Sequence, residues 1–276
     1  SWWGDLKPNE AKQIIAEFNK VYPFIKVEFS RQASDEQAAQ LEAEFMVGKV
    51  KVDVMEGGGR PNFPRWRKIG LMVPFTDLIP GIHNIPKNNY SRFKDWAMIG
   101  NNAITPQYNT KQISAANAPK TWEDLLDPKW KGKLGMTADM KVWAVFALAE
   151  NGWGMEKTEN FLRKLKEQNL IWASGHTAGH SLVIAGDFPI MVEEYLYHVL
   201  QSQKKGAPIS WIKVSHVPVT GQAFWRTGKG PHPNAANIFI EWQFSPPGLK
   251  AYEAVTQRGA IYPGAGTTQA KLLEGV

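Results

Sequence analysis

Residues 192–198, VEEYLYH, gather two carboxylates, two phenols and an imidazole within seven positions. Glu194 and His198 are four apart and Tyr195 and His198 three apart, so on a helix these groups share its first turns. Phenolate oxygens are hard anionic donors suited to a trivalent cation with a carboxylate companion, which makes Tyr195, Glu194 and Tyr197 a candidate metal set. Without a cation the phenols stay neutral and act as hydrogen-bond donors or flat walls. The plainer alternative is one core tyrosine and a Glu pair that favours a helix N-terminus. A second cluster is GHTAGHS, residues 175–181, where His176 and His180 are spaced to share a helix face. With a carboxylate such as Asp139 they would form part of a metal site; otherwise they are a polar helix start with Thr177. A third is the glycine run Gly57, Gly58, Gly59 with Arg60, which is either a tight turn or a backbone approach to an anion.

The elements that must hold these groups follow a β-α-β rhythm. Residues 9–21 place Ile14, Ile15, Phe18 and Val21 on one helical face, with Pro23 as a stop. Residues 25–30 alternate like a strand, 35–48 read as a helix stopped by Gly48, and 52–56 read as a short buried strand that runs into the glycines. Residues 96–110 and 214–225 are apolar stretches without helical period, read as crossings between two lobes. Between them lies a second series: a Thr-capped short helix from 121 with a strand after it, a helix over 138–152, an amphipathic helix over 156–168, the strand LIWAS, a helix from Gly175 to Gly186, and the strand FPIMV at 188–192. A last helix begins at Pro233 and carries Ala236, Ile240 and Phe244 on one face. The expectation is an α/β protein of two lobes, each a mostly parallel sheet flanked by helices. Residues 1–103 with 226–276 form the first lobe and 104–225 the second.

Composition bounds the function. Apolar residues make up 43% and charged residues 21% of the 276, which is ordinary for a globular chain. The 32 basic and 26 acidic side chains give +6, but the basic residues sit in small groups such as RWRK and KWKGK with acids nearby, so no nucleic-acid partner is expected. Cysteine is absent, which removes disulfides, thiolate metal sites and cysteine nucleophiles. Twelve Trp, 13 Phe and 7 Tyr suggest ligand-stacking surfaces beyond those in the core. No G-x-S-x-G elbow, phosphate loop, H-E-x-x-H pair or dinucleotide fingerprint occurs, which argues against an enzyme. The opening SWWGD reads as the end of a strand, consistent with a trimmed N-terminus and a removed export signal.

Four stretches carry a family resemblance: YNT at 108–110, APKTWEDLLDPKWKGKLGM, GDFPIMV leading to a tyrosine-bearing helix, and HPNAANIFIEWQFSPPGLKAYE. They resemble the periplasmic solute-binding proteins of ABC importers, nearest to the group that takes up ferric iron, polyamines, thiamine, phosphonates or sugar phosphates. The resemblance implies a type II two-lobed fold that closes by a hinge on a ligand between the lobes. It also implies a monomer, located in the periplasm or on the outer face of a membrane, whose partners are a small-molecule ligand and an ABC permease in the cytoplasmic membrane, with no resident cofactor. Members that hold bare ferric iron use two adjacent tyrosines at this helix start; here that pair falls on Tyr195 and Leu196, with Tyr197 displaced by about 100° of helical rotation. The binding residues implied at the strand ends are Trp3 and Asp5, Gly58, Gly59 and Arg60, Thr105 and Tyr108, Thr137 and Asp139, His176 and Thr177, Glu194, Tyr195 and Tyr197, and Trp225 with Arg226. Glycine-lined backbone and two arginines point to a small anionic or zwitterionic organic ligand. Ferric iron, with a synergistic anion or chelator, is the alternative, and a transferase on the same fold is the alternative of another class.

Overall fold

The computed structural model describes residues 1–31, 34–57, 60–80, 86–262 and 264–275; the side chains of 34, 35, 60 and 88 lie outside the description. The chain divides into two compact units, Ser1–Asn101 with Gly221–Glu274, and a second built mainly of Asn102–Thr220.

In the first unit, β1 (Trp2–Gly4) is the central parallel strand between β2 (Phe29–Arg31) and β3 (Val54–Glu56), and β9 (Val219–Arg226) runs antiparallel on the far side of β3. The crossovers are α1 (Pro8–Val21) and α2 (Ser34–Met46), and the short α3 (Phe63–Lys68) follows β3. Pro8 at the first position of α1 suits a helix start, and Ile14 and Phe18 face inward from it at a spacing of four. The later helices α8 (Pro233–Gln243), α9 (Pro246–Thr256) and α10 (Thr268–Leu272) complete this unit. Aromatic rings dominate its core. Trp2 packs against Phe29, Phe224 and Phe239, and Trp66 lies 5.2 Å from Trp225, each such pair adding about 0.5–1.5 kcal/mol beyond area burial.

The second unit has β5 (Leu134–Thr137) parallel to both β6 (Ile171–Ala173) and β7 (Ile190–Tyr195). The long β4 (Ala97–Asn109) runs antiparallel beside β7, and the short β8 (Ile209–Trp211) runs antiparallel beside β4. Its helices are α4 (Lys141–Leu148), α5 (Met155–Lys166), α6 (His176–Ala185) and α7 (Leu196–Lys204). Trp122, Trp143, Phe146, Trp153 and Phe161 form a second aromatic core under α4 and α5. Both aromatic clusters are packed in the hydrophobic cores of their units.

The parallel frames and their helices follow the sequence pattern, with local differences. Of the alternating stretch at 25–30 only Phe29 and Ser30 enter the sheet, in a strand that ends at Arg31. The helix read from 121 is a pair of 3₁₀ turns at Glu123–Leu126 and Pro128–Trp130, because Pro128 withdraws an N–H after one turn. The strand read over 188–192 continues to Tyr195, so Glu193 and Glu194 belong to the strand rather than the helix.

Gly135 in β5 shows how tightly this sheet is covered. A Cβ there would stand 2.1 Å from the Phe188 ring. Gly135→Ala is therefore expected to destabilise the second unit by about 1–3 kcal/mol through overpacking, read as a lower midpoint in urea unfolding, and Phe188→Leu should partly restore it.

Candidate functional site

The polar residues of the second unit collect at the carboxyl ends of β5, β6 and β7, where ligands gather in open α/β sheets. A bulge prepares the position. Thr105 of β4 faces Glu194 and Gln107 faces Met191, so three steps along β7 oppose two along β4, with Pro106 at the mismatch. Pro106 has no N–H to lose there, and its carbonyl accepts from Ile212 N at 2.8 Å. Before the bulge Ile190 and Val192 enter the aromatic core while Met191 faces α6 and α7. Simple alternation would send Glu194 into that aromatic core. The extra residue reverses the phase, and Glu194 joins Gln107 and Thr105 on the face of α6 and α7.

Both glutamates are fully buried. Glu193 Oε1 accepts from Thr137 N at 3.0 Å and Thr137 Oγ1 at 2.7 Å. Glu194 Oε1 accepts from Tyr195 N and pairs with His198 Nδ1, each at 2.8 Å. The second oxygen of each, with Thr105 Oγ1 and both ring nitrogens of His176, is buried with no hydrogen-bond partner among the described residues. Burial pushes Glu193 up to about 8, the bonds from Thr137 opposing it and the charges of Glu194 and Asp139 adding to it. Burial also raises Glu194 to about 8, against the neighbouring His176 and the Tyr195 N–H. The His176 ring lies 4.4 Å from that of Tyr195, which is in turn stacked on Tyr197 at 5.5 Å. Asp139 Oδ2 is 4.0 Å from His176 Nε2 and also faces Lys141.

Thr105, Thr137, Asp139, His176, Glu194, Tyr195 and Tyr197 thus come together within the second unit. Other expected residues do not join them. Tyr108 is packed in the aromatic core, and Thr177 is exposed on the first turn of α6. His180 does not pair with His176 for a metal. Its Nδ1 meets Gln107 Oε1 at 2.8 Å and its Nε2 meets Ser202 Oγ at 2.7 Å, and burial lowers its pKa to about 4. Among the described residues no three His, Asp or Glu side chains are grouped to hold a metal ion. Leu196, the position of the second tyrosine in the iron pattern, is fully buried.

The first unit has its own cluster at the carboxyl ends of β1 and β3. Asp5 accepts from Gln222 Nε2 at 3.2 Å and faces Arg258 Nη1 at 3.5 Å. Glu56, fully buried, accepts from the Tyr252 hydroxyl at 2.5 Å. Burial first and Asp5 second push Glu56 up to about 8. Gly58, Gly59 and the Arg60 side chain lie outside the described residues. Trp3 and Trp225 are core residues, because their positions on β1 and β9 point inward. Arg226 pairs with Val54 at the amino end of β3, two register steps from Glu56, so it stands away from this cluster. A cavity of about 490 Å³ in this unit is lined by Trp2, Phe24, Asp53 and His232, also at the amino ends of the strands, and Asp53 there is already paired with the Ser1 amine and His232. Sequence reading omitted Glu193, Gln222, Arg258 and Tyr252, which only sheet register and chain return bring to the strand ends.

The raised carboxyls make stability pH-dependent. In the folded state Glu56, Glu193 and Glu194 keep protons that the unfolded chain releases near 4.5, so their contribution is complete at low pH and is lost as pH rises toward 8. His180 acts oppositely, its contribution being present above 6.5 and lost as pH falls toward 4. Between pH 6.5 and 8 the carboxyls act without opposition from His180. The unfolding free energy of the ligand-free protein, measured by urea titration, is expected to fall across that window by roughly 1–2 kcal/mol per carboxyl, and Glu193→Gln or Glu194→Gln to flatten the fall.

The wider comparisons agree with this architecture. The chain matches an uncharacterised protein of Haemophilus influenzae at 25% identity over 244 residues, 81% of this chain; it spans 66% of that curated relative. Iron-bound HitA from Pseudomonas aeruginosa aligns with a TM-score of 0.73 and 21% identity over 95% of this chain and 86% of the other. The Trichodesmium protein IdiA (FutA), in complex with iron and citrate, gives 0.78 and 18% over 99% and 89%. The periplasmic binding protein AfuA from Actinobacillus pleuropneumoniae, with fructose-6-phosphate bound, gives 0.69 and 17% over 95% and 86%. These likenesses establish the type II periplasmic-binding-protein fold. The family model of bacterial extracellular solute-binding proteins covers residues 13–271, and the chain belongs to that family.

Proposed function

We propose that this protein is the solute-binding component of an ABC importer, acting outside the cytoplasmic membrane, and that it captures a small zwitterionic organic ligand for delivery to a permease. The observation that carries the reading is the group of buried, unpartnered polar atoms at the strand carboxyl ends of the second unit: Glu193 Oε2, Glu194 Oε2, Thr105 Oγ1 and the His176 ring. Buried polar groups ordinarily find partners, so such a concentration supports a ligand-binding role. The Tyr195 and Tyr197 rings beside them suit a flat or apolar part of the ligand. A plain anion, the other half of the sequence expectation, draws less support, because two of these four unpartnered groups are carboxyls.

Ferric iron is the second reading, favoured by the adjacency of Glu194 and Tyr195 and by the iron held in two of the structural relatives. Against it stand Leu196, which is buried in the core, and the use of both His180 nitrogens within the unit.

Mass spectrometry of the supernatant after denaturing freshly purified protein separates the readings. A small zwitterion released unchanged is the expected result, and adding it back at 100 times its dissociation constant should raise stability by about 2.7 kcal/mol. A red-brown charge-transfer band on adding ferric salt to the ligand-free protein, lost in Tyr195→Phe, would instead establish iron. Conversion of the released compound on incubation with the protein would point to a transferase.

A further inference from the structure

The carboxyls of Glu193 and Glu194 are adjacent on β7, fully buried, and each is satisfied through one oxygen only. Among the described residues neither has a Lys or Arg partner: Glu194 pairs with His198, and Glu193 has no ion pair. Burying two like charges side by side costs several kcal/mol unless a cation or a proton compensates. A purely structural filling of this space would be cheaper with apolar groups. Two observations besides the acids point to a ligand. Thr105 Oγ1 is fully buried, directly opposite Glu194 in register, and has no hydrogen-bond partner among the described residues. The His176 side chain is nine-tenths buried against Tyr195 with neither ring nitrogen hydrogen-bonded among those residues.

We propose that Glu193 and Glu194 hold a protonated amino group of the captured solute, and that the amine is taken up in exchange for one proton from the carboxyl pair. The inference rests on the solute-capture reading and names one end of the ligand. An ammonium has three N–H donors and no acceptor. The unpartnered acceptors on this face are three: Glu193 Oε2, Glu194 Oε2 and Thr105 Oγ1. Thr137 positions the first carboxyl through its N–H and hydroxyl, and His198 and the Tyr195 N–H position the second.

The exchange balances simply. A carboxylic acid and an alkylammonium become a carboxylate–ammonium pair and one released proton. The titratable and charged groups around the pair are Asp139 after β5, paired with Lys141; His176 and His180 of α6; Tyr197 and His198 of α7; and Tyr195 of β7 itself. β4 contributes the uncharged Thr105 and Gln107. The burial that raises both carboxyls is consistent with protons being present to exchange at neutral pH.

The test is calorimetric titration of the ligand-free protein with matched pairs: 2-aminoethylphosphonate against ethylphosphonate, and 4-aminobutyrate against butyrate, together with any compound released on denaturation. Titrations in PIPES and in Tris at pH 7 count protons through the different ionisation heats of the buffers. We expect amine members to bind at least tenfold more tightly than their deaminated partners, with proton release, and with affinity rising from pH 6.5 to 8. Glu193→Gln and Glu194→Gln should each lower amine affinity at least tenfold and abolish the buffer difference, while far-UV circular dichroism and cooperative unfolding are retained. Equal binding of a deaminated partner, affinity that falls as pH rises, or a released solute without an amine overturns the ammonium subsite and leaves solute capture standing. No binding by any member and no released solute overturns both.

Discussion

Burying a carboxyl in a sheet that is covered on both faces demands compensation, and the geometry of β7 is arranged around that demand. The extra residue opposite Pro106 shifts the phase of the strand, so Glu194 leaves the aromatic side and meets Thr105, His198 and the α6 face. Its neighbour Glu193 takes both donors of Thr137 at the end of β5. Without the shift one glutamate would turn toward the aromatic cluster of Trp143, Phe146 and Phe161. The bulge, more than any single side chain, decides that an acidic pair can exist here.

The rest of the second unit supports this placement. Gly179 lets α6 approach β7 closely, since a Cβ there would meet the Met191 side chain at 2.7 Å. That approach puts His180 within reach of Gln107 on β4 and Ser202 on α7, tying three elements together through one imidazole. One turn earlier, His176 keeps its ring nitrogens out of such bonds and lies against Tyr195 instead. Two histidines at a helical spacing of four therefore have different physical roles. One is a structural tie that burial keeps neutral, and the other is a buried polar edge of the site.

Much of this was legible before the fold was known. The periodicity of α1, the apolar crossings that became β4 and β9, and the strand-to-helix corner at VEEYLYH all follow from local pattern. The corner's chemistry was less legible. Spacing alone suggested that Glu194, Tyr195 and His198 share a helix, whereas Glu194 and Tyr195 are the last two residues of a strand and Glu194 reaches His198 across the junction. The resemblance implied Trp3, Tyr108 and Trp225 as binding residues, whereas their positions in the sheets put the rings in the cores. Arg226 read as a partner for an anion, yet antiparallel pairing carries it to the amino end of β3.

The sequence by itself determined the α/β class, the order of the elements, the absence of cysteine chemistry and the family, because hydrophobic period, proline and glycine stops and specific local strings are one-dimensional properties. Tertiary structure alone decided which polar groups lack partners. That outcome depends on strand register, on a one-residue bulge and on the return of Gln222, Tyr252 and Arg258 to strands more than 190 residues earlier, as the 196-residue separation of Tyr252 from Glu56 shows. Hydrogen-bond satisfaction and desolvation are properties of three-dimensional neighbourhoods, and no local pattern in the chain encodes them.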